Sequence, residues 1–208
     1  MARATIYTIG HSNVSSEAFL ERLRQHQITA IADVRSQPYS QYLPHFNRAV
    51  LKATLHQAGI RYVFLGRELG ARSDDPTCYR NGQVVYARLA ATPLFTSGLD
   101  RLRAGMTKER IALLCAEKDP ATCHRAILVC RQLRHPELRI EHILSDGTLE
   151  SQQDLEQRLL QLHRLNQLTF LNSQSPADLI EEAYERQGER IAYSKPDNAN
   201  DQAVSISS

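Results

Sequence analysis

Cys115, Cys123 and His124 stand within ten residues of one another, with Glu117, Lys118 and Asp119 between them and Arg125 directly after. A thiol beside an imidazole and a guanidinium has the surroundings that lower its pKa, the condition for a nucleophile. The stretch leaves an apolar strand at Cys115, crosses a charged loop and enters a helix at Asp119-Pro120. Free N–H groups and the positive dipole end favour phosphate or thiolate at such a helix start. His124 there suits acid/base work or a phosphate contact. Cys115, Cys123 and His124, joined by His11 from another loop, could also assemble a zinc site, because thiolate and imidazole are its usual ligands. The sequence lacks the paired C-x-x-C spacing of many zinc sites, so it requires no cofactor, and zinc stays a secondary reading. Cys115 reads equally as a small apolar residue at a strand end. Cys130, on the helical face of Ile127 and Cys123, reads as core.

Three more polar clusters follow apolar strands: His11-Ser12-Asn13, Asp33 with Arg35 and Ser36, and Arg67-Glu68. Asp33 is either a catalytic carboxylate or the ion-pair partner that orients Arg35. Gly66 and Gly70, around Glu68, allow close backbone approach to a ligand. They lack the phosphate-loop spacing and its terminal Lys-Ser/Thr, which argues against a nucleotide triphosphatase of that kind. The residues thus divide into two sets. His11, Asp33, Glu68, Cys115, Cys123 and His124 are candidate reacting groups. Ser12, Asn13, Arg35, Ser36, Arg67, Lys118 and Arg125 are candidate ligand contacts, with Arg35, Arg67 and Arg125 predicted to converge on an anion near Pro120.

These residues need a scaffold that gathers strand ends. Strands are predicted over Thr5 to Ile9, Ile28 to Val34, Tyr62 to Leu65, Arg110 to Cys115 and Leu138 to Leu144. Helices are predicted between them: one capped by Ser15 with Val14 and Phe19 as a hydrophobic staple, and one capped by Asn47 that stops at Gly59. Phe95, Leu99 and Leu102 mark another, stopping at Gly105, and further helices run over Pro120 to Arg134 and along Leu155, Leu159 and Leu162. Gly66 to Gln83 reads as a long irregular loop that exposes Cys78. The alternation predicts an α/β domain over residues 1–171, a mostly parallel sheet of about five strands with helices on both faces. In such sheets ligands bind beyond the carboxyl ends of the strands, where all four clusters lie. Residues 172–208 read as an acidic tail with one short helix, framed by Ser175, Pro176 and Gly188, that is dispensable for ligand binding. Asp197 to Ser208 reads as disordered.

Composition narrows the function classes. The 208 residues carry 25 Lys+Arg against 23 Asp+Glu, yet residues 1–150 have a net charge of +6 and residues 151–208 of −4. Of the cationic residues 21 are Arg, the planar fork suited to carboxylates and phosphates. The longest apolar run, Ile111 to Ala116, is far too short to span a bilayer. With no signal-peptide layout at Met1 to Ile9, a cytoplasmic protein is expected. Four cysteines in that setting would be reduced, which excludes a disulfide scaffold.

Taken together, Thr8-Ile9-Gly10-His11-Ser12, Asp33-Val34-Arg35-Ser36 with Pro38 and Ser40, Phe46-Asn47, Glu68-Leu69-Gly70, and Cys115 to Pro120 with Cys123-His124-Arg125 resemble the family catalogued as domain of unknown function 488. The resemblance spans residues 5 to 144 and implies a compact α/β domain with its signature residues on loops. It brings no established reaction. Gln41 stands where the family pattern usually has Arg, and Ala71 where it has a second glycine. The residues themselves favour an enzyme acting on a phosphorylated small molecule, nucleotide or nucleic-acid component. A non-catalytic module for the same ligands, or an ion-pair network without ligand, would use the same side chains. Expected partners are an anionic small molecule or nucleotide; nucleic acid and a homodimer are compatible, a membrane is not.

Overall fold

The computed structural model describes residues 4–165 and 175–195. The elements, in chain order, are β1 (Ala4–Gly10), α1 (Ser16–Gln25), β2 (Ala30–Asp33), α2 (Arg48–Gln57), β3 (Arg61–Phe64), α3 (Gly66–Leu69), β4 (Tyr79–Arg80), β5 (Gln83–Val84), α4 (Tyr86–Ala90), α5 (Pro93–Met106) and β6 (Ile111–Cys115). A π-helix (Arg125–Cys130) follows and runs into α6 (Arg131–Leu133). The chain then forms β7 (Leu138–Ile143), β8 (Leu149–Ser151), α7 (Gln152–Leu162) and α8 (Pro176–Ile191). The main sheet has the order β3-β2-β6-β1-β7-β8. Its first five strands are parallel, and β8 is antiparallel to β7.

Strand alternation sorts the core into two layers. Tyr7, Ile9, Ile31, Ala112 and Leu114 face α1 and α2, packing on Phe19, Leu23, Leu51 and Leu55. Ile6, Ala32, Leu113 and Cys115 face the other way, toward Phe95, Leu102, Ile127, Leu155 and Leu179. Adjacent β1 and β6 connect onward in opposite directions, β1 toward β2 and β6 toward β7. Their carboxyl ends therefore frame a switch point, the place where such sheets bind ligands. Backbone bonds from His11 to the Cys115 carbonyl (2.9 Å) and from Ser12 to the Ala116 carbonyl (2.9 Å) extend the pairing past both strand ends.

Several predicted elements need correction. The stretch 66–83 is ordered: it forms α3, a turn that buries Cys78, and the small β4–β5 hairpin. Asp119 caps its turn as predicted, accepting from the Ala121 N–H. The helix predicted over Pro120 to Arg134 divides, however, because Cys123 is extended (φ −130°, ψ 135°) between a 3-10 turn and the π-helix. Gly105 lies inside α5, and Leu162 is exposed. The Ser145-Asp146-Gly147 turn leads into an extra strand, β8, which has no apolar pattern to announce it. Gly188 lies within α8, a sixteen-residue helix whose Leu179, Ala183 and Tyr184 are buried. The predicted boundary at Asn172 and the predicted disorder of Asp197 to Ser208 lie outside the described residues. No described helix is long and apolar enough to cross a membrane.

Candidate active site

The loop between β6 and the π-helix reaches across the end of β1, and Gly10 allows it. A Cβ at Gly10 would stand 1.8 Å from the Glu117 carbonyl oxygen and 3.3 Å from Arg125 Nη1. Arg125 then ties the loop down from beneath: Nη1 donates to the Glu117 carbonyl (2.7 Å), Nη2 to that of Lys118 (3.3 Å) and Nε to Thr8 Oγ1 (3.3 Å). The guanidinium is wholly buried, so Arg125 builds the loop and presents nothing to a ligand.

Held this way, the loop brings four side chains together. Cys115 Sγ donates to Glu117 Oε2 at 2.8 Å, and Cys123 Sγ donates to the same oxygen at 3.0 Å. His124 Nδ1 lies 3.6 Å from Cys115 Sγ, while its Nε2 meets the Val34 carbonyl at 3.0 Å. A carbonyl only accepts, so Nε2 carries the hydrogen. Burial alone would push the Cys123 thiol up; the hydrogen bond from Cys115 and the charges of Arg125 and His124 outweigh it and bring Cys123 well below an ordinary thiol. Cys115 moves the opposite way, through burial and the negative charge of its neighbour. Burial lowers the affinity of His124 for a proton, but Cys123 and Glu117 reverse that and hold it above the ordinary range. Desolvation of its carboxyl group among the thiols, then the Cys123 charge, raise Glu117 although the residue as a whole is exposed. Burial also pushes Cys130 up, as befits a core thiol.

A cavity of about 320 Å³ opens over this group. Cys115, Glu117, His124, Arg35, Ser36 and Arg72 line it, together with Ile191 at the end of α8 and Tyr193 just past it. Cys123 is nine-tenths or more buried behind Cys115. Arg35 reaches the wall but is committed to Asp33, which takes its Nε (2.9 Å), Nη2 (2.7 Å) and backbone N–H (3.1 Å) as well as the Tyr62 hydroxyl (2.7 Å). His11 supports the same guanidinium: its Nδ1 donates to the Ser12 carbonyl (2.7 Å) and its Nε2 accepts from Arg35 Nη1 (3.2 Å). Burial and the Arg35 charge lower the His11 pKa to about 4, so the ring is neutral at pH 7. Arg72 is the more available cation. Its Nη1 donates to Gln37 Oε1 (2.7 Å), its backbone N–H donates to Ser36 Oγ (3.1 Å), and its guanidinium carbon lies 4.2 Å from the Tyr193 ring centre.

Arg35, Ser36, Cys115 and His124 therefore meet in one cavity, with Cys123 directly behind. The predicted convergence of Arg35, Arg67 and Arg125 does not occur: Arg67 is exposed on α3, and Arg125 is consumed by the loop. Glu68 pairs with Arg101 instead. Ser12 bonds Asn13 (3.3 Å) near the surface, and Lys118 contributes its carbonyl to Arg125 while its side chain is exposed. The metal-ligand set suggested by the sequence also changes: Glu117, not His11, joins Cys115, Cys123 and His124. Glu117 is readable in retrospect as the carboxylate two residues past a strand-end thiol. Arg72 and Tyr193 carry no local signal.

The fold and the site define an α/β protein with paired thiols and an arginine around a cavity at the carboxyl ends of parallel strands. The chain belongs to the family described as Domain of unknown function DUF488, which matches residues 15–131. That match includes both cysteines of the pair, Glu117, His124, Arg35 and Arg72, and ends before α8. No curated protein compared with the chain matches it.

Proposed function

We propose that the protein is an enzyme acting on a phosphorylated small molecule, such as a nucleotide or sugar phosphate. Arg72 and Ser36 would hold the phosphate, and Cys115, Cys123, His124 and Glu117 would act on the rest of the molecule by acid/base or thiol chemistry. One observation carries this reading: Arg72 and Ser36 line the same cavity as Cys115, Glu117 and His124, and its volume suits a ligand of that size. In this reading His11 and Asp33 are positioning residues, since both act on Arg35. The ion-pair alternative applies to Asp33 and Arg35 alone, because Glu68, Arg67 and Arg125 have other surroundings.

A thermal-shift screen against nucleotides and sugar phosphates tests the proposal, with the uncharged nucleosides and sugars as controls. A phosphate compound at about 100 times its Kd stabilises by about 2.7 kcal/mol, which for a domain of this size raises Tm by about 5–10 °C. The shift should disappear in Arg72→Ala and persist in Arg67→Ala. A shift of the same size in Arg72→Ala, or none with any phosphate compound, contradicts the reading. A compound that binds and is returned unchanged makes the cavity a binding module.

A further inference from the structure

We propose that Cys115 Sγ, Cys123 Sγ and His124 Nδ1 bind a single zinc ion, with Glu117 Oε2 as the fourth ligand. The four ligand atoms all lie within 4.8 Å of one another. A tetrahedral zinc site with Zn–S of about 2.3 Å and Zn–N of about 2.0 Å has edges of roughly 3.3 to 3.8 Å. The observed separations of 2.8, 3.0 and 3.6 Å bracket the lower end of that range, so small side-chain rotations open the shell around a cation. Two thiols directed at one carboxylate oxygen already group three donor atoms. Replacing their protons by one divalent cation gives the three atoms a common centre.

The surroundings match what a metal-binding histidine and a thiolate pair need. The Val34 carbonyl takes the Nε2 hydrogen of His124 and leaves Nδ1 facing the sulfurs, the outer-shell arrangement that orients ligating imidazoles. Two thiolates and a carboxylate around a divalent ion leave one negative charge, and the buried Arg125 guanidinium beneath the loop offsets it. Sulfur and nitrogen donors select zinc over magnesium or calcium. Glu117 is the exposed member of the set, at the cavity mouth, so it is the ligand that a water or a substrate oxygen can displace. As a binding site the cluster stands on this geometry alone. As a reaction centre it rests on the function proposed above.

The test is a titration of the EDTA-treated full-length protein with Co²⁺ and then Zn²⁺, followed by absorption. The expected result is one Co²⁺ per chain, with the sulfur-to-cobalt charge-transfer band and visible bands of a tetrahedral site, lost stoichiometrically as Zn²⁺ displaces it. Cys123→Ser should weaken zinc binding by more than the ~10–100-fold that loss of an outer-shell partner costs. Cys130→Ser, a buried thiol outside the cluster, should leave it unchanged and controls for the fold. Glu117→Gln should keep the charge-transfer band and lose affinity. Absence of the band in the wild-type protein, or equal affinity in Cys123→Ser, overturns the zinc site. Phosphate binding with no zinc binding refutes only the metal. Zinc binding with no response to any phosphate compound supports the metal and refutes the function proposed above.

Discussion

The α-carbon of Gly10 and the carbonyl of Glu117 approach so closely that a methyl group on the glycine would stand 1.8 Å from the oxygen. The end of β1 thereby sets the height of the loop that carries Glu117, and through it the distance from that carboxylate to both sulfurs. Gly10→Ala should lose about 1–3 kcal/mol of stability, the usual cost of overpacking a close contact. It should also disturb the thiol cluster by lifting the loop off Arg125. Urea denaturation checks the first effect, and an unchanged midpoint would show that the loop shifts freely.

Stability should fall between pH 6.5 and 4. His142 is fully buried, with Nδ1 on Thr8 Oγ1 (2.8 Å) and Nε2 on Gln152 Oε1 (3.0 Å), and burial together with the Arg125 charge lowers its pKa to about 3. His11 is lowered to about 4. Both are neutral in the folded protein and take up protons in the unfolded chain below its ordinary pKa of about 6.5, so the stability they contribute is complete above that pH and lost as pH drops. Each removes about 2 kcal/mol by pH 5. Denaturation midpoints at pH 7 and pH 5 should differ less in His142→Gln than in the wild-type protein. An identical pH dependence would mean that His142 does not remain neutral in the fold.

The parallel strands are legible in the sequence because most are short, largely apolar stretches closed by polar residues, although β7 carries Arg139, Glu141 and His142. Asp119 and Ser15 are legible as caps because a cap is local: one side-chain oxygen and the next few N–H groups decide it. What escapes is set by distant contacts. Cys78 sits in a polar stretch, but its carbonyl accepts from the Val85 N–H (2.8 Å) and the turn tucks its side chain into the core. Arg67 is the nearer arginine to the end of β3, yet the single turn of α3 rotates it outward, and the chain must continue past Gly70 before Arg72 meets Ser36. Gly70 leaves no room for a side chain there, since a Cβ would lie 2.3 Å from Ser36 Oγ. Arg125 looks like a ligand contact in sequence because nothing local reveals that two loop carbonyls will consume it.

Tyr193 should matter to ligand binding although it lies far along the chain from the thiols. The sequence suggests that the segment after Asn172 is dispensable for binding, but Ile191 and Tyr193 line the cavity and Tyr193 stacks on the Arg72 guanidinium. Loss of a stacking contact of this exposed kind costs about 0.5–1 kcal/mol. Tyr193→Ala should therefore weaken binding of a phosphate compound about two- to fivefold with Tm of the free protein nearly unchanged. Calorimetric titration measures it, and equal affinity in the variant would free the C-terminal segment from the site.

The decisive measurement is the rate at which iodoacetamide modifies the Cys115–Cys123 pair in the native, EDTA-treated protein at neutral pH, with and without a saturating phosphate compound from the thermal-shift screen. Cys78 and Cys130 are buried away from the cavity and serve as internal controls. The lowered pKa of Cys123 and the place of Cys115 on the cavity wall should make this pair react first, and a ligand seated on Arg72 and Ser36 should slow that reaction sharply without affecting the controls. A pair that stays unreactive until the protein unfolds, or that reacts equally fast with the ligand bound, would show that the thiols and the anion do not share one site.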